Sequence, residues 1–437
     1  MAAVCHESMA AASGFQDVRN CHAPAVWNFA RNRRTQLAAC AAKFTFLQNP
    51  ILSSKPDPLM ARSFSLLSIL VLASFPMLSA KEAPALPQRE EVIRVIRQVN
   101  DHWQKAHPNH GDAFWNRAVY HIGNMDAHAV TGESAYRKFS EKWSEKNQWK
   151  GAKSDKKEEW IYSYGESDKF VLFGDWQACF QVYFALHRLD PQPQKIARAT
   201  EVMGYQITTA PNDYLWWADG LFMVMPVMTE MHQLTGDPHY LKKLRDYFDY
   251  ARDLMYDSEA ALFFRDAKYV FPKHKSVNGR KDFWARGNGW VFAALPMVIE
   301  SLPAGHPDRA HYQSIYQAMA KSLAACQHAE GYWTRSLLDG EHAPGPETSG
   351  TSFFTRGYLW GLRKGVLDKA TYEPVVKKSW AYLTTKALQE DGRLGYIQPI
   401  GEKASPGQFV DARSTADFGV GAFLLAAAEM TRYVEGK

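Results

Sequence analysis

The chain has 437 residues, 46% hydrophobic, 22% charged and 13% aromatic, which excludes a disordered chain, a collagen and a bundle of membrane spans and fits one large domain or two ordinary ones. Lys and Arg number 51 against 46 Asp and Glu, a net charge of +5, but residues 1–59 alone hold six basic and three acidic residues. The rest is nearly neutral, which argues against a nucleic-acid binder working by phosphate neutralisation. Five cysteines, none in a Cys-x-x-Cys or Cys/His spacing, supply neither a disulfide framework nor a zinc site.

Residues 1–59 show no sustained periodicity. The expectation is an over-extended reading frame, or else a leader with Arg31, Arg33 and Arg34 as its basic part. Met60-Ala-Arg-Ser then opens an apolar run from Phe64 to Leu78, followed by Ser79-Ala80 and Lys81-Glu82-Ala83-Pro84. This is the layout of a secretory signal over 60–80, cleaved after Ala80 and too short for a stable anchor. It predicts export to the periplasm or the medium, with no membrane attachment afterwards.

From Gln88 onward apolar residues recur at three and four positions, so helices are expected almost without interruption. A repeating unit stands out: an apolar helix ends in a turn and a more charged helix follows, as at Val130-Thr131-Gly132-Glu133 and Leu234-Thr235-Gly236-Asp237-Pro238. Gly stops one helix and Pro238 suits the first turn of the next. Apolar helices are predicted near 113–130, 175–189, 217–234, 288–302, 350–366 and 417–434. Amphipathic ones are predicted near 88–107, 134–147, 192–208, 238–256, 308–328 and 372–389. Six of each in alternation predict an all-α (α/α)6 barrel over 81–437 as a single domain, an open solenoid being the alternative.

In such a barrel every inner helix starts at the same mouth, and the starts carry chemistry: Phe114-Trp115-Asn116-Arg117, Gly174-Asp175-Trp176, Trp216-Trp217-Ala218-Asp219, Trp284-Ala285-Arg286, Glu347-Thr348-Ser349 and Ser414-Thr415-Ala416-Asp417. Any one of these acids could be an ordinary helix cap. Capping does not account for the tryptophans beside them, nor for Arg286 where the helix dipole disfavours a cation. Together they suit a pocket that stacks a sugar ring and holds a carboxylate. Asp175 and Asp219, from neighbouring inner helices, are the acid/base candidates: helix N-termini favour ionisation, while burial against Trp216 and Trp217 and mutual repulsion favour a proton.

Trp217-Ala218-Asp219-Gly220-Leu221-Phe222-Met223, Arg286-Gly287-Asn288-Gly289-Trp290 and Glu347-Thr348-Ser349-Gly350-Thr351 resemble, in that order, the motifs of the unsaturated rhamnogalacturonyl hydrolases of glycoside hydrolase family 105 and their unsaturated glucuronyl relatives of family 88. The similarity runs from about Phe114 to Glu429. It implies an (α/α)6 barrel that removes a 4,5-unsaturated uronic acid from the non-reducing end of lyase-generated oligosaccharides by hydrating a vinyl ether. By this resemblance Asp219 protonates C4 and activates the water that adds at C5, and Asp175 holds the substrate and tunes its partner. Arg286, Trp290, Trp217 and Tyr120 would contact substrate, with Trp333 on a loop at the rim. Trp176-Gln177 replaces the family's usual Asp/Asn-His after Asp175. Arg265 stands where some members carry a His; a surface pair with Asp266 is expected, with recognition of a more acidic or sulfated sugar as the alternative.

The basic loop from Lys150 to Lys157 reads as solvated, and His102, His107 and His110 lack the i, i+4 register of a helical metal site. No metal, nucleotide or flavin is implied, and the expected partner is an unsaturated oligosaccharide. Two rival readings are an inverting glycosidase using Asp175 and Asp219 on saturated glycans and a non-catalytic helical-repeat protein that binds glycans.

Overall fold

Helix spacing in the sequence becomes a ring in space. The computed structural model describes residues 85–436, within a compact unit that spans Leu78–Lys437; the expected leader and secretory signal lie outside the described residues. Among the described residues twelve α-helices follow one another: α1 Arg89–Ala106, α2 Trp115–Thr131, α3 Ser134–Lys146, α4 Cys179–Leu189, α5 Ala197–Gln206, α6 Ala218–Thr235, α7 His239–Met255, α8 Ala285–Ser301, α9 Asp308–Ala325, α10 Thr348–Arg363, α11 Lys369–Tyr382 and α12 Asp417–Val434. The even-numbered helices pack in sequence, α2 on α4, α4 on α6, α6 on α8, α8 on α10 and α10 on α12, and α12 returns to α2. That last contact closes the inner ring and rules out the open solenoid. The fold is an (α/α)6 barrel.

Burial separates the two rings. Inner α12 buries every residue from Asp417 to Thr431, as a helix surrounded on all sides must. Outer α1 buries only a stripe, Val92, Ile93, Ile96, Val99, Asn100 and Trp103, the face that i, i+3, i+4 spacing assembles. Gly132 and Gly236 end α2 and α6 in the left-handed region, φ 73° and 72°, and their N–H groups bond back to the carbonyls of His128 and His232. A residue with a Cβ would be strained there.

Two details differ from the periodicity. Residues 174–176 form a separate 3₁₀ turn, so α4 starts at Cys179 and Asp175 sits ahead of the helix. A two-residue antiparallel ladder, β1 Tyr256–Asp257 with β2 Leu262–Phe263, interrupts the helical run; Ala261 turns it at φ 51°. A sheet this short carries no alternating pattern for the sequence to display.

Candidate active site

Inner-helix starts and the loops around them enclose a cavity of about 670 Å³ lined by Phe114, Trp115, Trp216 and Trp217 as flat walls and by Asp112, Glu166, Asp175, Asp219 and Glu402 as acids. Arg265 and Lys268 are the cations of that lining. Tyr164 and Ile400, both more than half exposed, stand at the rim. Wide aromatic faces with a few convergent polar groups are the usual make-up of a small-molecule site.

Asp219 lies in the first turn of α6. Its position is fixed by a backbone bridge between Trp217 and Asp266, with the Ala218 N–H donating to the Arg265 carbonyl at 2.8 Å. The bridge places Arg265 Nε 3.3 Å from Asp219 Oδ2. Arg265 Nη1 donates to Asp266 at 2.7 Å, and the guanidinium lies over the Trp216 ring, 5.8 Å from its centroid. Arg265 therefore pairs with Asp266 as expected, but inside the cavity wall and not on the surface, because the same bridge turns it toward Asp219.

The two aspartates sit in unlike fields. Burial pushes the Asp175 carboxyl well above its usual range, the charge of Asp219 adds to this, and Arg265 offsets only part. No hydrogen bond reaches the Asp175 carboxyl among the described residues. Burial also raises Asp219, but Arg265 and Arg286 pull it back. Asp175 thus feels the stronger push toward its protonated form, and in Asp219 two arginines oppose that push.

Arg286 is placed behind the cavity, not in its lining. It is 1% exposed, sandwiched between Trp284 and Phe418 with ring centroids 4.5 and 4.8 Å away. Its Nη1 and Nη2 donate to the carbonyls of Gln398 and Pro399, each at 2.9 Å, and Glu347 lies 3.8 Å off. The residue anchors the loop that carries Ile400 and Glu402 to the rim. Glu347 in turn caps α10, accepting from the Ser349 and Gly350 backbones, and takes the Gln398 N–H at 3.2 Å.

Three more residues singled out from sequence lie away from the cavity. Trp290 is fully buried among Trp115, Phe222 and Phe353, one layer below the wall. Trp333, expected on a rim loop, is fully buried; its indole N–H donates to the Leu323 carbonyl at 2.8 Å, so its loop tucks against α9. Tyr120 points between α1 and α2, its hydroxyl donating to Asn100 at 2.7 Å. Asp417 holds Asn116 and Arg117 at 2.9 and 2.8 Å, which ties the start of α12 to the cavity wall.

Sequence reasoning passed over Tyr164, Glu166, Lys268, Ile400 and Glu402. All five sit on loops without periodicity, and only the fold brings them to the mouth. Glu402 is the most connected: it accepts from Lys268 Nζ at 2.8 Å, from Arg265 Nη1 at 3.4 Å and from the Tyr269 hydroxyl. Burial would raise its carboxyl, but the Lys268 and Tyr269 bonds and the two positive charges hold it below the usual range. Among the described residues no three His, Cys, Asp or Glu converge as metal ligands.

Comparison with known proteins identifies the family. Residues 88–434 match the model of Glycosyl Hydrolase Family 88. An unsaturated 3S-rhamnoglycuronyl hydrolase of Alteromonas sp. (strain LOR) is 44% identical over 214 residues, 49% of this chain and 50% of that protein, so this alignment spans half the relative's length. Another protein of that name, from Formosa agariphila, is 30% identical over 387 residues, 86% of this chain and 99% of its own. A solved structure named a polysaccharide lyase is 60% identical, with a TM-score of 0.78 over 79% of this chain and 98% of that one. With a closed (α/α)6 barrel, two buried aspartates at its aromatic mouth and a family match across the whole barrel, the chain belongs to glycosyl hydrolase family 88.

Proposed function

We propose that this protein removes a 4,5-unsaturated uronic acid from the non-reducing end of lyase-generated oligosaccharides by hydrating the vinyl ether. The observation that carries this reading is the pair Asp175 and Asp219 in one cavity under tryptophan walls, both pushed toward the protonated form by burial, Asp219 less so because Arg265 and Arg286 oppose the rise. Hydration needs a proton delivered to C4, then a base for the water that attacks C5. One carboxyl with a raised pKa can do both in sequence. Asp219 fits because Arg265 restrains the rise that burial causes.

In this mechanism protonation at C4 moves the double-bond electrons and leaves an oxocarbenium ion at C5. Water adds there and its proton returns to Asp219. The hemiketal opens at the ring oxygen, and the C1 hemiacetal that remains releases the next sugar. Neutral Asp175 donates a hydrogen bond to the bound ring. The names of the two hydrolase relatives support a rhamnose-containing glycuronyl substrate. The apolar run before Ala80 supports export, beside the lyase that makes such ends.

The test follows the ultraviolet absorbance of the conjugated double bond with a panel of lyase-generated disaccharides. Wild type removes the absorbance, and Asp219→Asn lowers kcat by about 10²–10⁴-fold, the usual worth of a general acid/base. Absorbance that grows on intact polymer would instead mark a lyase. No change on any unsaturated product, from a folded protein, would sink the reading.

A further inference from the structure

A uronate brings a negative charge into a cavity that already contains five acids. Arg286, the cation the sequence offers for that carboxylate, has spent Nη1 and Nη2 on the Gln398 and Pro399 carbonyls and does not line the cavity. Two lining cations remain, Arg265 and Lys268. Both are engaged by one carboxylate from across the mouth: Glu402 accepts from Lys268 at 2.8 Å and from Arg265 at 3.4 Å, while the Tyr269 hydroxyl donates to its other oxygen. A guanidinium, an ammonium and a phenol converging on a carboxylate is how proteins bind a carboxylate ligand.

The Glu402 side chain is 43% exposed, against 13% for Arg265. It follows Gly401, and the loop is pinned before it, at Gln398, by Glu347, Arg286 and the Trp284 indole. Beyond Glu402 the chain is held as well, with Gln398 Nε2 donating to the Lys403 carbonyl at 2.9 Å and His342 Nε2 3.1 Å from the Ala404 carbonyl, so Glu402 leaves by swinging its side chain while the loop backbone stays in place. Arg265 Nη2 makes no hydrogen bond among the described residues, so a donor is left over for an incoming oxygen.

Building on the hydrolase reading above, we propose that Arg265 and Lys268 form the subsite for the substrate's carboxylate and that Glu402 fills this subsite as an internal stand-in which the substrate displaces. Binding then has to expel Glu402, and the apparent affinity is the intrinsic affinity multiplied by the fraction of molecules in which the subsite is free. This accounts for an ion-pair cluster at the mouth of a pocket that must admit an anion. It also makes Glu402 a specificity device, since a neutral sugar has nothing to exchange for it.

The experiment uses the full chain and the variants Glu402→Gln, Tyr269→Phe and Lys268→Gln. Glu402→Gln keeps the side-chain shape but removes the competing charge, so KM for an unsaturated uronyl disaccharide falls about threefold or more as the free fraction rises. Tyr269→Phe loosens the same carboxylate and shifts KM in the same direction, and Lys268→Gln raises it. Glucuronate and glucose serve as binding probes without turnover: Glu402→Gln binds glucuronate more tightly than wild type and leaves glucose unchanged. A KM and a glucuronate affinity that are unchanged or weakened in folded Glu402→Gln overturn the stand-in. Glucuronate tightening in a protein that consumes no unsaturated substrate keeps the subsite and refutes the hydrolase reading alone.

Discussion

Asp175 shows most directly how one residue trades stability for chemistry. The residue is 7% exposed, its carboxyl has no hydrogen-bond donor among the described residues, and burial together with the charge of Asp219 raises its pKa well above the usual value. In the unfolded chain the same group ionises near pH 3.9. Folding therefore retains a proton that the unfolded chain releases, and stability declines as pH rises from about 4 toward the value at which the folded Asp175 ionises. Below that window both states are protonated and no penalty remains. Asp175→Asn keeps the shape and removes the charge, so it should lower activity and raise Tm at pH 7 by a few degrees, with the gain vanishing near pH 4. Calorimetry at the two pH values checks this; an equal gain at both would assign the effect to packing instead.

At the scale of elements, two inner helices contain a proline that breaks their own hydrogen-bond ladder. Pro226 in α6 leaves the Phe222 carbonyl without its donor. Gln181 of α4 fills the gap, its Nε2 donating to Phe222 at 2.9 Å. Pro296 likewise leaves the Phe292 carbonyl of α8 without its donor, and Arg356 of α10 donates to the next carbonyl, Ala293, at 2.8 Å. Buried polar side chains thus stitch each broken helix to a neighbour in the ring. Gln181→Leu should cost about 1–3 kcal/mol, the worth of a buried unpaired carbonyl, read as a lower urea midpoint at unchanged slope. A midpoint equal to wild type would mean that the kink satisfies itself. These helices were legible in sequence because an apolar period of three and four survives a proline. Gln181 and Arg356 were not, since their partners lie on other helices. The site divides along the same line. Asp175, Asp219, Trp216 and Trp217 adjoin helix starts that periodicity locates. Glu402, Lys268 and Tyr164 ride on loops that carry no period, and Trp333 was misplaced because a loop tryptophan gives no local sign of which way it folds.

Across the whole molecule the decisive contact is the one that turns a row of helix pairs into a barrel. α2 and α12 meet backbone to backbone at Gly123 and Gly421: a Cβ on Gly421 would lie 2.2 Å from the Val119 carbonyl oxygen, and one on Gly123 equally close to that of Gly421. Neither backbone can yield without parting the helices. The seam joins the first inner helix to the last, so it closes against the loop entropy of nearly the entire barrel. It also reaches the chemistry, because Asp417 at the start of α12 holds Asn116 in the cavity wall. Gly421→Ala should therefore destabilise by about 3 kcal/mol or more, at or above the usual range for overpacking, and activity should fall together with the fold. Gly204→Ala, in outer α5, is the contrast: its Cβ would meet only the Tyr240 hydroxyl at 3.7 Å, so helix propensity should stabilise by about 0.5–1 kcal/mol. Denaturant unfolding of the two variants, read beside turnover, separates ring closure from local helix strength. If Gly421→Ala unfolds like wild type, the seam has room to spread and the barrel owes its closure to the helices on either side.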